Sequence, residues 1–319
     1  MATTTSITTT YAGEYAQKYI SAALLSARTL ENGGVDVRPN IKFREVMKKV
    51  SLDGIIKNAT CDFDATGAFV SVERILEPKE LQVNAQFCKK DFRSDWEALQ
   101  MGVSAHDQLP PSFQEFIIAE MIAKVAQNNE RSIWQGVATN NGEYDGFVKL
   151  LEDATGLPSA QEVAGTAITS ANVIDELGKI VDAIPDTLYG RDDLNIYVSQ
   201  KFARAYVRAL GGFGAAGLGA AGINAEGTQW FSNGTPLNFD GVNIFMTNGL
   251  TGDKAICTYK ENLAFGTGLL SDHNEVKLID LADVDGSQNV RFVMRMTGGV
   301  QIGVIEDVVT YGITNTANA

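Results

Sequence analysis

The 319-residue sequence is poor in the side chains on which most catalytic and metal-binding sites depend. It contains three cysteines and two histidines. No CxxC pair occurs, which argues against a zinc site and against a disulfide framework. We interpret Cys61, Cys88 and Cys257 as free buried thiols in a reducing compartment, since free cysteine is among the most buried residue types. His106 and His273 are interpreted as solvated loop residues, because neither lies in a recognisable catalytic motif.

Long apolar runs and positive charge are scarce as well. No segment of the sequence approaches the ~20 apolar residues needed to cross a membrane. Residues 1–10 are rich in threonine and uncharged, unlike a signal peptide, so we expect a cytoplasmic protein with no membrane partner. The net charge is −13, with 15 basic and 17 acidic residues up to Arg131 and 11 basic and 22 acidic residues after it. Such a chain is not expected to bind DNA phosphates over a broad surface.

The sequence offers no convincing set of catalytic groups. Gly217–Gly222 matches the GxGxxG dinucleotide fingerprint, but that motif requires a strand before it, and a predicted helix precedes it here. Three carboxylate pairs lack the spacing of a calcium loop and are interpreted as turn or surface residues: Asp62 with Asp64, Asp192 with Asp193, and Glu306 with Asp307. We therefore expect a protein that is not an enzyme and has no cofactor and no metal site. The tryptophans are interpreted as core or interface anchors: Trp96, Trp134 and Trp230.

One stretch reverses the acidic character of the chain. Between residues 38 and 57, only Glu45 and Asp53 oppose six basic residues: Arg38, Lys42, Arg44, Lys48, Lys49 and Lys57. This pattern fits either a solvated surface strand or a basic arm that lies on the acidic surface of a neighbouring subunit. We adopt the second interpretation as a hypothesis, because complementary charges steer association and fix its register.

A β-ribbon is expected early in the chain. Residues 1–10 are predicted to form a flexible arm, and Gly13–Leu30 a helix that ends at Asn32-Gly33-Gly34. Val46–Ile75 is typical of a long two-stranded ribbon with too few large apolar residues for a core of its own. Because an isolated hairpin is only marginally stable in water, this ribbon needs a surface to lie on, in the same chain or in a neighbour.

Helices and strands are expected to mix in the middle of the chain. Phe113–Trp134 is predicted to be a long helix, which begins after Pro110-Pro111 with a capping box of Ser112 and Glu115. An α/β region follows: helix Ser170–Ile184, strand Leu194–Val198, helix Gln200–Leu210 capped by Ser199, and strands Val242–Thr247 and Ala255–Thr258. Residues 211–222 are almost wholly Gly and Ala and are predicted to form a mobile tip, with glycines Gly211, Gly212, Gly214, Gly217, Gly219 and Gly222.

The last third of the sequence predicts further strands. They are Glu275–Leu281, Val290–Met296, Val300–Ile305 and, at the end, Val308–Ile313. Asp285-Gly286 and Gly298-Gly299 are predicted to form the turns between them.

This order of elements resembles the Hong Kong 97-type capsid fold of tailed phages and herpesviruses. The closing segments Asn274–Asp280, Arg291–Met296 and Gly298–Val304 look like the C-terminal strands of that family. The resemblance implies an α+β fold in five segments: an N-terminal arm and short helix (1–40), an extended loop formed by the ribbon and its base (41–92), a peripheral domain with the long helix as its spine (93–169), an axial domain with the glycine-rich tip (170–268), and C-terminal strands that return to the peripheral domain (269–319).

The function implied by the resemblance is that of a major capsid protein of a tailed double-stranded DNA phage. Its copies would form hexamers and pentamers of an icosahedral shell, assembled in the host cytoplasm and found in the virion. The implied partners are other copies of the chain, a portal, and packaged DNA enclosed without sequence-specific binding. Because only about forty residues precede the ribbon, we expect no fused scaffolding domain, so that assembly would need a separate scaffolding protein or none.

Three alternatives stay open at this point. An encapsulin-like compartment shares the fold and would contain protein cargo instead of nucleic acid. A cytoplasmic α/β enzyme would use residues 170–270 and would bind a small molecule. A tail-tube protein would form rings or tubes.

Overall fold

The computed structural model describes residues 28–59, 61, 67–88, 111–210, 237–268, 276–282 and 286–318. The helices of this part are α1 (Arg28–Glu31), α2 (Pro111–Gln135), α3 (Phe147–Glu152), α4 (Val173–Asp182) and α5 (Gln200–Leu210). Its strands are β1 (Asp36–Arg38), β2 (Glu45–Asp53), β3 (Ala68–Leu76), β4 (Lys79–Cys88), β5 (Glu162–Val163), β6 (Leu194–Ser199), β7 (Leu237–Phe239), β8 (Val242–Thr247), β9 (Ala255–Tyr259), β10 (Leu263–Gly266), β11 (Val276–Asp280), β12 (Asn289–Ile302) and β13 (Val309–Tyr311). Short 3₁₀ turns span Ser159–Gln161, Lys260–Asn262 and Ile305–Asp307.

Helix α2 is the long helix that the sequence predicts. Its 25 residues span about 37 Å at 1.5 Å per residue. Near its end Trp134 is fully buried, with its ring centroid 5.3 Å from that of Phe147 and 5.2 Å from that of Tyr197. The helix stops at Gly136, where a Cβ atom would lie 2.2 Å from the carbonyl oxygen of Tyr144, so only glycine allows this close approach. The side chains of the predicted capping box lie outside the described residues.

A five-stranded sheet is built around β12. In this sheet β12 pairs antiparallel with β4 over ten positions and also with β11 and β10, and β1 joins β10 in parallel. The predicted turn at Gly298-Gly299 is wrong, because both glycines lie inside the continuous strand β12. A Cβ atom on Gly299 would lie 2.9 Å from the carbonyl oxygen of Glu77, so glycine is present to let another segment cross closely.

A six-stranded sheet has the order β5-β13-β9-β6-β8-β7. Its central strands are buried on both faces: Ile196 and Cys257 face a core shared with α4 and α5, whereas Tyr197 and Ile256 belong to the core around Trp134. This double burial explains why Ile196, Tyr197 and Val198 are consecutive apolar residues rather than alternating with polar ones.

The predicted helices beside this sheet are confirmed. The observed α4 is shorter at both ends than the predicted Ser170–Ile184, and α5 has the predicted bounds. The hydroxyl of Ser199 accepts a hydrogen bond of 3.2 Å from the N–H of Phe202, which confirms the predicted cap.

The mixed helix and sheet architecture confirms the α+β class. The boundaries of the five segments remain predictions. Strands β5 and β13 of the six-stranded sheet lie outside 170–268, and β10, which lies inside that range, belongs to the five-stranded sheet. Each sheet therefore collects strands from distant parts of the chain.

The cysteines differ in exposure. Cys257 is buried, Cys88 is partly buried and Cys61 is exposed, so the expectation of three buried thiols is wrong for Cys61. No helix of the described part is long and apolar enough to cross a membrane. Several predicted features lie outside the described residues: the arm 1–10, most of the helix Gly13–Leu30, His106, His273, Trp96, Trp230, Asp62, Asp64 and the glycines between 211 and 222.

Candidate functional site

The predicted ribbon is present and forms the candidate site. Strands β2 and β3 pair antiparallel over nine positions, and Val46 lies opposite Ile75 as the first apolar pair. The two strands form a sheet of their own, separate from both larger sheets. The ribbon is therefore a separate two-stranded element of the described chain.

One face of the ribbon, the apolar face, carries large hydrophobic side chains that stay exposed. Successive cross-strand pairs on this face are Val46–Ile75, Lys48–Glu73, Val50–Ser71 and Leu52–Phe69. Leu52 is 57% exposed and Phe69 is 70% exposed. An ion pair of 3.1 Å joins Lys48 and Glu73 in the middle of the face. A cluster of exposed apolar side chains of this kind usually marks an interaction surface.

The opposite face is partly held by the same chain. The ammonium of Lys49 lies 3.2 Å from a carboxylate oxygen of Glu306, and Met47 approaches Gly303. Partial burial raises the pKa of Glu306, but hydrogen bonds, including that from Lys49, together with the charge of Arg74 bring this pKa below its ordinary value. These contacts fix which face of the ribbon points away from the chain.

Two isoleucines that follow β2 toward the tip of the ribbon are also exposed. Ile55 is 58% exposed and Ile56 is 96% exposed, directly after β2. Gly54 and Gly67 flank the tip with positive φ angles of 65° and 97°, a conformation that favours glycine. An isoleucine held almost entirely in water gains much by burial against a partner, at roughly 1.5–3 kcal/mol for a full side chain.

The root of the ribbon is anchored in the five-stranded sheet. Leu76, the last residue of β3, is fully buried and packs against Gly266, where a Cβ atom would lie 2.9 Å from its methyl group. The side-chain amide of Gln301 donates a hydrogen bond of 2.7 Å to the carbonyl oxygen of Ile75. Arg44 pairs with Glu77 at 2.9 Å. These contacts fix the base of the ribbon.

The six basic residues of the predicted arm are largely paired within the chain. Their partners are Asp36 and Glu45 for Arg38, Glu77 for Arg44, Glu73 for Lys48 and Glu306 for Lys49. Lys42 is exposed, and Lys57 has an interaction of its own. The local positive excess seen in the sequence is reduced when β3 folds back on β2, because β3 and the residue after it bring Glu73 and Glu77, although β3 also brings Arg74. Whether these residues also contact a neighbouring subunit stays a prediction.

A cleft of about 450 Å³ lies at the carboxyl ends of β6 and β8, beside α5. Ligands of α/β enzymes bind at this edge of a sheet. Here Ser199 donates its proton to the carbonyl oxygen of Gly252 at 2.7 Å and caps α5, so its hydroxyl has no base as a partner. No group of three or more His, Cys, Asp or Glu that could hold a metal ion occurs in the described part of the chain. In this cleft Ser199 is therefore not activated as a nucleophile.

One residue of each described carboxylate pair, Asp193 and Asp307, has a hydrogen-bond partner within the chain. Asp193 receives two hydrogen bonds from the guanidinium of Arg191, at 2.8 and 2.7 Å, and this charge lowers the pKa of its carboxyl. The carboxylate of Asp307 accepts a hydrogen bond of 3.1 Å from the hydroxyl of Tyr259. The prediction of turn and surface roles is confirmed for these residues.

Several solved capsids have a fold similar to this architecture. The chain is similar to the capsid of a native GTA particle computed with C5 symmetry, with 13% identity, 93% of this chain and 94% of that chain covered, and a TM-score of 0.60. It is also similar to the capsid of the cyanophage P-SCSP1u (13% identity, 97% and 93% covered, TM-score 0.53) and to that of the Myoviridae phage XM1 (14%, 96% and 93%, 0.52).

These likenesses extend over nearly the whole chain and show its fold, which is that of the capsid proteins of phages and of the GTA particle. No protein-family model and no curated protein matches the sequence. The fold expected from the order of elements is thus confirmed by structure, while the sequence itself has diverged to about one identical residue in seven or eight.

Proposed function

We propose that this chain is the major capsid protein of a tailed double-stranded DNA phage, and that it assembles with copies of itself into a closed shell. The observation that carries the proposal is the apolar face of the ribbon on a capsid fold. A lone molecule leaves Leu52, Ile56 and Phe69 in water, which is an unfavourable state unless a partner covers them.

The partner of the ribbon is a neighbouring copy of the chain. A shell made of one protein presents every ribbon with an identical neighbour at a fixed distance, so one contact repeats throughout the assembly. In the proposed shell, hexamers and pentamers tile an icosahedral surface, and each ribbon overlaps the next subunit. The fixed root of the ribbon suits this role, because the root sets the direction in which the apolar face points.

The proposed shell encloses double-stranded DNA as a container and is located in the virion. A net charge of −13 leaves the protein with few positive groups to neutralise phosphates, so DNA would be retained by enclosure. A portal and a separate scaffolding protein complete the proposed set of partners.

The apolar face is a stronger candidate for the subunit contact than the basic residues Arg38, Lys42, Arg44, Lys48, Lys49 and Lys57. Four of these six already face a carboxylate of their own chain. Exposed ion pairs contribute only about 0–1 kcal/mol each, so charge pairs at these positions would add little affinity to a subunit contact. These residues would tune the register of the contact rather than supply its affinity.

Electron microscopy of the purified protein tests the proposal. We expect capsomers or closed shells for the wild type, and a double variant Leu52→Ser, Phe69→Ser that stays monomeric with an unchanged melting temperature. The matched control is Ile174→Ser, which changes an isoleucine on α4 that is 45% exposed and should assemble normally. A wild type that is monomeric at every concentration, with and without a scaffolding protein, would contradict the proposal. Shells that hold protein cargo and no nucleic acid would favour a compartment over a phage.

A further inference from the structure

The six-stranded sheet has ends of opposite character. Its strands β6 and β8 are parallel, so their amino ends lie together on one side of the sheet and their carboxyl ends on the other. The six residues of β6 separate these two sides by about 20 Å. Acidic turns lie at the beginning of these strands, and basic residues line the cleft at their end.

The acidic end is the exposed surface around Tyr189, here called the knob. Tyr189 is 51% exposed, and its hydroxyl donates a hydrogen bond of 3.4 Å to the carbonyl oxygen of Asp240. This bond joins the turn before β6 to the turn between β7 and β8. Asp186, Asp192 and Asp240 are exposed there, and none of them makes an ion pair with a residue of the described part of the chain. Arg191 lies in the same turn, but its guanidinium makes an ion pair with Asp193.

The pairing of Arg191 keeps the knob acidic. Its guanidinium makes two hydrogen bonds to Asp193 and lies 4.3 Å from the ring centroid of Tyr259. A bidentate pair that also stacks on an aromatic ring is geometrically fixed. The guanidinium of Arg191 therefore does not pair with Asp186, Asp192 or Asp240, and their negative charge is available to a partner.

The basic end is the cleft of about 450 Å³ beside α5. Lys201, Arg204 and Arg208 follow one another at spacings of three and four residues, which places them on one face of α5 along the wall of the cleft. Ile168 and Leu250 add apolar lining. The wall has a positive charge that is unusual in a chain of net charge −13.

The charges of this wall are only partly compensated. Lys201 lies 2.7 Å from a carboxylate oxygen of Asp253, whereas Arg204 donates only to the neutral amide oxygen of Gln200, at 3.3 Å. Within the described residues no carboxylate pairs with Arg204 or Arg208. Two guanidinium groups therefore remain for an acidic partner.

We propose that the knob around Tyr189 of one copy docks into the cleft beside α5 of the next copy, with Asp186 and Asp192 opposite Arg204 and Arg208. This inference rests on the proposed function and specifies a second subunit contact, distinct from that of the ribbon. The two surfaces lie at opposite ends of one sheet, so the contact is head-to-tail, which is the type that closes into a ring. An exposed tyrosine entering a cleft rimmed by opposite charges is a typical centre of such an interface.

Charge reversal at each side, followed by exchange, tests the pairing. The variants are Arg204→Glu with Arg208→Glu, Asp186→Arg with Asp192→Arg, and a chain that carries all four changes. The control is Asp175→Arg, which reverses an exposed aspartate on α4 of the same unit. Capsomer and shell formation is measured by mass photometry and electron microscopy as a function of concentration, and folding is checked by thermal melting.

We expect each double reversal to raise the concentration needed for assembly by about tenfold or more, equivalent to ~1.4 kcal/mol per contact. The four-change chain should recover most of this loss because the opposite charges are again paired across the contact. The Asp175→Arg control should assemble like the wild type. The wild-type requirement should also rise with salt, since exposed charges are screened.

Three results would overturn the inference. The first is normal assembly of both double reversals. The second is a loss of assembly that the four-change chain does not recover. The third is DNA binding by the wild type that Arg204→Glu with Arg208→Glu abolishes while assembly stays normal, which would assign the cleft to phosphates. In all three results the wild type still assembles, so the proposed function would survive. A wild type that never assembles would remove both.

Discussion

The indole N–H of Trp134 donates a hydrogen bond of 2.8 Å to the hydroxyl oxygen of Thr29, which joins the N-terminal part of the described chain to the end of α2. The same hydroxyl donates its proton to a carboxylate oxygen of Glu130 at 2.5 Å, and the N–H of Thr29 donates to the other oxygen at 3.1 Å. Thr29, Glu130 and Trp134 are all fully or almost fully buried. The hydroxyl of Thr29 thus makes hydrogen bonds with two buried polar groups, the indole of Trp134 and the carboxyl of Glu130.

Replacing this hydroxyl should be costly. Thr29→Val keeps the shape of the side chain but leaves the indole N–H unpaired and removes one donor from the carboxylate. We expect a loss of about 2–3 kcal/mol in the free energy of unfolding, measured by urea denaturation. Thr251→Val is the control, because that hydroxyl donates to Gln135 at an exposed site, and its loss should cost less than about 1 kcal/mol. Equal losses in the two variants would contradict this account.

The buried carboxyl of Glu130 predicts a pH dependence. Burial raises the pKa of Glu130 above its ordinary value, although hydrogen bonds from Thr29, Asn248 and Gly249 act in the opposite direction. A carboxyl with a raised pKa binds its proton more tightly in the folded state. Its contribution to stability is therefore complete below the unfolded-state pKa and is lost as the pH rises through the folded-state pKa.

This dependence should be absent from Glu130→Gln. The wild type minus variant difference in free energy of unfolding should shrink as the pH is raised above the ordinary pKa of a glutamate. Denaturation of both proteins across that range measures the difference. A difference that stays constant or grows with pH would show that the carboxyl is not stabilised in its protonated form.

The cysteines should react at very different rates with an alkylating reagent. Burial raises the pKa of Cys257 to about 12, so its thiolate is almost unpopulated at pH 8 and is shielded as well. Cys61 is exposed and should be modified first, as read by peptide mass spectrometry, with Cys61→Ser as the control. If the ribbon tip is covered on assembly, Cys61 in shells should react at least several-fold more slowly than in monomers. Equal rates in both states would argue against burial of the tip.

Gly299 should tolerate no side chain. A Cβ atom there would lie 2.9 Å from the carbonyl oxygen of Glu77 and 3.0 Å from the Cα of Pro78, both backbone atoms at the root of the ribbon. We expect Gly299→Ala to lower the free energy of unfolding by about 1–3 kcal/mol. Gly178→Ala is the matched control: this helical glycine has open space around its Cβ position, so alanine should stabilise by up to about 1 kcal/mol. Similar effects of the two changes would rule out the close crossing as the cause.

Reversing Lys48 and Lys49 to glutamate should impair assembly at low salt. In the variant, residue 48 would face Glu73 across the ribbon and residue 49 would face Glu306, so both ion pairs become repulsive. Because these charges are exposed, the defect should diminish as salt is added. Light scattering at two ionic strengths measures it, and unchanged assembly at low salt would refute a role for these lysines.

The sequence predicted local elements well and distant partners poorly. Strands β2 and β3 were predictable because their β-pattern is local, and the predicted span Val46–Ile75 agrees within one residue with the outer ends Glu45 and Leu76. The boundaries of α5 followed from the Ser199 cap and the glycines after Leu210. These patterns and caps depend on only a few neighbouring residues, so they can be recognised without knowing the tertiary fold.

The features that the sequence did not reveal have a common physical origin. The intrachain partners of the basic stretch could not be identified because Glu73, Glu77 and Glu306 are remote from it in sequence. Gly298-Gly299 predicted a turn because the crossing of Glu77 is invisible without the fold. The bond between Thr29 and Glu130 joins residues 101 positions apart, and no local pattern announces it.

The pairing of β4 with β12 delays the folding of the five-stranded sheet during synthesis. Lys79 lies opposite Gly298, so about two hundred residues must be synthesised before β4 can meet its partner. At roughly 5–20 residues per second, the ribbon waits about 10–40 s on the ribosome with its root unsupported. During that interval its apolar face is exposed on a nascent chain among other nascent chains. We therefore expect the yield of soluble protein to depend on translation rate and on chaperones far more than on the stability of the finished fold.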